Sequence, residues 1–201
     1  MLSGNFFCCN FELNNMFKRF KPSILIIFFM KTTRYFILML ILFISHSVKA
    51  QNNVAAINGV VQAYLGVEKA LVNDDSRTAN KQAEVLNYEL NQVVAKRLDA
   101  AKKATWTKYS EKLLYNSKHI SESKSIDHQR EHFASLSDDM YALLQSFKSH
   151  PTLYRQYCPM KKQYWLNASQ EIQNPYYGKQ MLDCGKVTET LKGELAASAT
   201  N

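Results

Sequence analysis

The feature that most constrains this chain is the distribution of its helix-breaking residues. Proline is absent from residues 51–150, and glycine is absent from residues 67–177. Long stretches without either residue favour helices over turn-rich sheets. Apolar residues recur at helical spacing through the same region. We therefore expect an all-α fold.

Four one-sided apolar stripes predict about four helices. The third is expected to be short and to precede a polar loop at 117–125, and the fourth stops before His150-Pro151. One-sided stripes are typical of helices that pack around a shared core, so we expect a small antiparallel helical bundle. The stripes cover residues 54–71, 79–101, 106–114 and 126–147.

The segment 30–50 has the pattern of a secretory signal peptide. A short basic start is followed by about ten apolar residues, and Val48 and Ala50 suit the positions that precede a cleavage site. The apolar run is shorter than the ~20 residues of a membrane-spanning helix. We expect an exported, periplasmic protein that is cleaved near Ala50 and meets a membrane only through an uncleaved leader.

The position of this leader defines three parts of the chain. Signal peptides begin near the first residue, so residues 1–29 are interpreted as an over-extended N-terminus ahead of a start at Met30. Residues 30–50 are the signal peptide. The remaining residues, 51–201, are expected to form a single helical domain.

The net charge of +8 suggests a nucleic-acid or anionic-membrane partner at first sight. Residues 1–50 contain six of the 25 basic residues and one of the 17 acidic residues. The remainder has 19 basic and 16 acidic residues, a net charge of +3, and its basic residues are scattered. The charge therefore gives no reason to expect nucleic-acid binding.

The segment 151–190 differs from the helical part. It contains all three prolines of residues 51–201 and five of the eleven tyrosines. We expect an irregular, Pro/Tyr/Cys/Met-rich segment lying on the helical scaffold, which is a usual place for function.

Two cysteines in this segment each have a methionine nearby. Pro159 favours an extended backbone at Cys158, which places residues two apart on the same face. Met181 and Cys184 are three apart, a spacing that shares a face on one helical turn. Thiolate and thioether ligands select Cu(I), and Ag(I) by the same softness. The predicted metal ligands are Cys158, Met160, Met181 and Cys184.

The residues alone leave other interpretations open. A Cys158–Cys184 disulfide would close a loop of about 26 residues and stabilise the fold by roughly 3 kcal/mol, with the methionines as core residues. A thiol enzyme that pairs Cys158 with His150 is a third interpretation, although no orienting group is evident. Phosphate-loop, nucleophile-elbow and His-Glu-x-x-His motifs are missing from the sequence, so we expect no enzymatic activity.

The histidines give a weaker signal. His128 and His132 have the i, i+4 spacing that can hold a metal. They lie off the apolar stripe beside Arg130 and Glu131, so a solvated helix face is favoured over a metal site. His119 is assigned to the polar loop, and His150 is considered as a further ligand near the cysteines.

Several motifs resemble a bacterial family of periplasmic domains of unassigned function. Members of that family occur alone or fused to adaptor (membrane-fusion) subunits of heavy-metal resistance-nodulation-division efflux pumps. The resemblance covers about residues 55–190. It is carried by Tyr154-x-x-Tyr157-Cys158-Pro159-Met160, Tyr164-Trp165-Leu166 and Asn174-Pro175-Tyr176-Tyr177-Gly178-x-x-Met181-x-x-Cys184-Gly185.

The resemblance implies the handling of copper or a related soft metal in the periplasm. Combined with the sulfur ligands, it predicts a protein that buffers Cu(I) or Ag(I), or passes the ion to an efflux-pump adaptor or another periplasmic metal carrier. The alternative is a disulfide-stapled helical interaction domain that binds no metal.

Overall fold

The computed structural model describes residues 53–195. The predicted over-extension, signal peptide and cleavage site at 1–50 lie outside this range. Short 3-10 helices occur at Ala95–Arg97 and Gly178–Gln180. The main elements are α1 (53–72), α2 (Ser76–Gln92), α3 (Ala100–Glu122), α4 (Ile126–Leu144), β1 (Leu153–Cys158), β2 (Gln163–Asn167) and β3 (Lys186–Leu191).

Polar side chains begin three of the four helices. Asp75 caps α2, Asp99 caps α3 and Ser125 caps α4, and each accepts a hydrogen bond from a backbone N–H three residues later. The α3 helix lies between α2 and α4. No helix within the described range combines the length and the apolar character needed to cross a bilayer.

The predicted extents of the second and third helices are wrong. The α2 helix ends at Gln92, and α3 runs for 23 residues through most of the predicted polar loop. The reason is that α3 buries Asn116 and Ser117 beside Ile120. Polar residues on the inner face interrupted the apolar stripe without interrupting the helix.

The prediction of an all-α fold is also wrong. The segment after α4 forms a three-stranded antiparallel sheet in the order β2-β1-β3, so the fold is mixed. Its prolines bound the strands: Pro151 precedes β1, Pro159 lies in the β1–β2 turn, and Pro175 lies between β2 and β3. The sheet packs on α4 through β2, which buries Trp165 and Leu166 completely.

The strand register determines which residues lie next to each other at one end of the sheet. Cys158 pairs with Gln163 as the last pair of β1 and β2. Tyr157 pairs with Lys186 as the first pair of β1 and β3. The β1–β2 turn and the approach to β3 therefore meet at Cys158. Within β3, every side chain except Leu191 is exposed.

A buried arginine fastens the β2–β3 connection to the helices. The Arg130 guanidinium on α4 donates to the carbonyls of Pro175 (2.9 Å) and Leu71 (3.2 Å) and pairs with the Asp74 carboxylate at 2.6 Å. Gly178 has φ +55°, and a Cβ there would collide with Asp74 and Arg130. Only glycine suits this backbone in so little space.

Polar contacts also join α1 to the sheet. The Tyr64 hydroxyl, 2.8 Å from Ser137 Oγ, accepts the Leu166 N–H. Glu68 is buried, and the Asn167 side-chain amide donates to its carboxyl group at 3.4 Å. Because burial disfavours the charged form, it raises the pKa of Glu68 to about 8.

Candidate functional site

The structure brings two thiols together at one end of the sheet. Cys158 is fully buried at the end of β1, and Cys184 is half-buried two residues before β3. The antiparallel pairing of Tyr157 with Lys186 places these positions beside each other, and the two thiols are close enough for Cys158 to raise the pKa of Cys184. Both cysteines are free.

The β1–β2 turn donates a backbone N–H group to the buried sulfur. The Lys161 N–H donates to Cys158 Sγ at 3.4 Å. Burial raises the pKa of the Cys184 thiol, as does the neighbouring Cys158 thiol, and a hydrogen bond from the Met160 N–H lowers it. Since an N–H group stabilises a sulfur anion, the turn favours the thiolate form of Cys158.

The two methionines lie on the outer side of the thiols. Met160 is in the β1–β2 turn with 62% of its surface exposed. Met181 follows the second 3-10 helix and is 36% exposed, and its carbonyl accepts the Cys184 N–H at 3.2 Å. The four predicted sulfur residues thus lie in adjoining turns, with the thiols inside and the thioethers outside.

Asn174 is the positioning residue that the sequence prediction missed. Its side-chain amide donates to the Cys184 carbonyl at 2.6 Å, and its backbone N–H donates to the Leu182 carbonyl at 2.8 Å. Its Oδ1 accepts the Tyr176 N–H at 2.9 Å. The available signal was the pair Asn174-Pro175, because Asn often bonds to the backbone two residues later in a turn.

Gly185 allows the close approach of the two strands. A Cβ at this position would lie 2.9 Å from the Trp165 ring and 3.2 Å from the Tyr157 carbonyl. A side chain here would push the chain away from β1 and separate Cys184 from Cys158. The glycine after Cys184 therefore serves the contact between the thiols.

His150 is not brought to the thiols. It is fully buried ahead of β1, with its Nδ1 atom 2.6 Å from the Pro151 carbonyl oxygen. Cys158 ends the same strand, and a strand of this length spans roughly 17–20 Å. The structure thus separates the proposed further ligand from the sulfur residues, and a Cys158–His150 pair is not formed.

Basic side chains surround this end of the sheet. Lys161 and Lys162 are exposed in the β1–β2 turn, and Lys186 begins β3. A monovalent ion bound by two thiolates carries a net charge of −1. The three ammonium groups would offset that charge.

One comparison with known proteins gives a match. A domain described as a protein of unknown function (DUF3347) covers residues 60–152. The matched range includes α2, α3, α4 and residues 60–72 of α1 and ends just before β1, so the sheet with its two thiols lies beyond it. The match links the chain to no efflux pump or adaptor fusion. No curated protein and no solved structure matches the chain.

Proposed function

We propose that the protein binds a soft monovalent ion, Cu(I) or Ag(I), between the Cys158 and Cys184 thiolates. The observation that carries the proposal is the proximity of two free thiols at the end of the sheet, with a backbone N–H donated to the buried Cys158 sulfur. Thiolates are the preferred ligands of Cu(I), and hydrogen-bonded outer partners orient such ligands.

The exposure of the sulfur residues suggests how an ion enters and leaves. Met160 is 62% exposed, Met181 is 36% exposed, and Cys158 is fully buried. A thioether on the surface first meets the ion, and the thiolates then take it by ligand exchange. Reversing these steps would release the ion to a partner with similar sulfur ligands, such as an efflux-pump adaptor or another periplasmic metal carrier.

A disulfide between Cys158 and Cys184 is the second candidate. The proximity of the two free thiols also favours it, because an oxidising compartment joins neighbouring cysteines. The protein would then be a disulfide-stapled interaction domain without metal. The two proposals predict different masses and different copper chemistry.

Intact mass and a copper competition assay separate the two proposals. The protein is isolated without reductant, with its leader processed as the cell processes it, and its mass is measured. After reduction, Cu(I) is titrated in competition with a chromophoric chelator. We expect one equivalent of Cu(I), loss of binding in Cys158→Ser and Cys184→Ser, and weaker binding in Met160→Leu and Met181→Leu.

A matched control comes from the protein core. Met140 on α4 is fully buried and is not among the four proposed ligands, and Met140→Leu conserves volume, so this variant should bind Cu(I) like the parent. A native mass lower by two hydrogens, together with no Cu(I) uptake after reduction, would overturn the metal proposal in favour of the disulfide.

A further inference from the structure

Three histidines lie close together where α3 connects to α4. They offer nitrogen ligands, whereas the cysteines offer sulfur. One nitrogen atom from each of His119, His128 and His132 lies within 4.8 Å of the others. His119 is in the last turn of α3, and the other two are in the first two turns of α4. Only residues 123–125 separate these helices, so the connection folds the last turn of α3 against the start of α4.

The spacing along α4 explains why two of these rings share a face. Residues four apart lie one above the other on a helix, and the His128 and His132 ring centroids are 4.7 Å apart. His119 joins them from α3, with its ring stacked on that of His132 at 4.5 Å. The sequence prediction missed this convergence because it assigned His119 to a loop.

A buried amide fixes which nitrogen of His132 is available. The Asn116 side-chain N–H donates to the Lys112 carbonyl at 3.0 Å, so its Oδ1 atom is the group that faces His132. Nδ1 of His132 lies 3.0 Å from that oxygen and must therefore carry the proton. The lone pair is then on Nε2. Metal-binding histidines commonly donate their second N–H to a fixed oxygen in this way.

We propose that His119, His128 and His132 bind a divalent transition-metal ion such as Cu(II) or Zn(II). Imidazole nitrogen is a preferred ligand of both ions. Zinc–nitrogen bonds of about 2.0–2.1 Å in tetrahedral geometry hold their ligand atoms about 3.3 Å apart. The exposed His128 ring and the half-exposed His119 ring have room to rotate by that small amount.

The site is suited to binding at the surface. Two of its three rings are half-buried and one is exposed, so water completes the coordination. The exposed Tyr115 ring covers His119 from one side at 4.4 Å. This inference does not depend on the thiol site, because it uses different residues, a different ligand type and a different oxidation state of copper.

The test uses the full-length Cys158→Ser/Cys184→Ser protein, which removes the thiolates. Cu(II) is titrated and followed by electron paramagnetic resonance, and Zn(II) is titrated by calorimetry. We expect one equivalent of either ion, with nitrogen coupling in the copper spectrum. His119→Gln and His132→Gln should each weaken binding by at least about 100-fold, more than outer-shell changes do.

Variants of Asn116 test its positioning role. Asn116→Leu should weaken binding by about 10–100-fold. Asn116→Asp keeps the acceptor oxygen and should restore binding, which a merely structural role would not predict. Lys118→Gln, an exposed neighbour on α3, is the matched control and should bind like the parent.

Two outcomes would overturn the proposal: no saturable binding of either ion, or binding that His119→Gln and His132→Gln leave unchanged. If the double serine variant does not fold, the copper spectrum of the wild-type protein decides. Nitrogen coupling that disappears in His119→Gln supports the site. A sulfur-to-copper charge-transfer band without nitrogen coupling contradicts it.

Discussion

The sheet and the helical part hold their donor groups by different means. The thiols meet because the strand register, the glycine after Cys184 and the Asn174 amide bring two distant turns together. The three histidines meet because two consecutive helices fold back on each other. The comparison teaches that the sulfur site depends on residues throughout the fold, whereas the histidine site depends on a few neighbouring turns.

Of the four substitutions, Arg130→Met should reduce stability most and should affect the two sites unequally. The change leaves the Pro175 and Leu71 carbonyls without their donor and removes the pairing with Asp74, which should lower the free energy of unfolding by roughly 3–5 kcal/mol. Below the unfolding transition, Cu(I) affinity should fall more than divalent-ion affinity. Urea unfolding and the two titrations measure this, with the exposed Arg77→Met as the control. Equal losses at both sites would contradict the comparison.

Glu68→Gln should change the stability of the fold without changing metal affinity at one site more than at the other. With a pKa of about 8 in the folded protein and an ordinary value of 4.5, the carboxyl keeps its proton on folding. Between these pH values only the unfolded chain ionises, so its stabilising effect is complete below pH 4.5 and is lost as the pH rises to 8.

The glutamine variant should therefore be more stable than the parent at pH 8, by roughly 2–4 kcal/mol, and nearly equal at pH 4.5. Urea unfolding at the two pH values measures the difference. The exposed Glu84→Gln should show no such pH dependence. A parent whose stability is flat between pH 4.5 and 8 would show that Glu68 is ionised when folded.

Asn174→Ala should weaken metal binding at the thiols but not at the histidines, with a moderate loss of stability. It leaves the Cys184 carbonyl and the Tyr176 N–H without partners, which should cost about 2 kcal/mol of stability. Cu(I) binding should weaken because the turn that carries Cys184 loosens, and divalent-ion binding should stay unchanged. Asn91→Ala, at an exposed position on α2, is the control. Unchanged Cu(I) affinity would remove Asn174 from the positioning role.

Ser125→Ala should reduce stability least, and it should weaken binding at the histidines rather than at the thiols. The Ser125 hydroxyl caps α4 through the His128 N–H, and its loss should cost about 0.5–1 kcal/mol. Fraying of this first turn should weaken divalent-ion binding a few-fold and leave Cu(I) binding intact. Ser135→Ala, exposed in the middle of α4, should weaken neither. Calorimetry and thermal unfolding measure both effects.

Much of the helical part could be predicted from the sequence. Apolar spacing located α1 and α4 to within a few residues. The α3 helix was underestimated because Asn116 and Ser117 occupy buried positions and satisfy their polar groups internally. A polar residue on the inner face of a helix looks like a loop when only hydrophobicity is counted.

The sheet could not be predicted by the same reasoning. The strand β1 buries Leu153, Gln156 and Cys158, a pattern that lacks strict alternation, and the unpaired Thr188 of β3 shifts the register between these two strands. The strand β3 buries only its last residue. The better signal was the aromatic content between the prolines, with Tyr154 and Tyr157 in β1 and Tyr164 and Trp165 in β2. The proximity of the cysteines followed from register, which depends on the whole sheet.

Because strand β3 is exposed, a link between the two cysteines would change the stability of this edge of the sheet. This strand has almost no buried side chain and is held mainly by its pairing with β1. A bond through metal or sulfur between Cys158 and Cys184 would tie the beginning of β3 to the end of β1, so its formation would add to the stability of that edge. Whether the site is filled should then be readable from the rate at which β3 frays, by hydrogen exchange or by limited proteolysis.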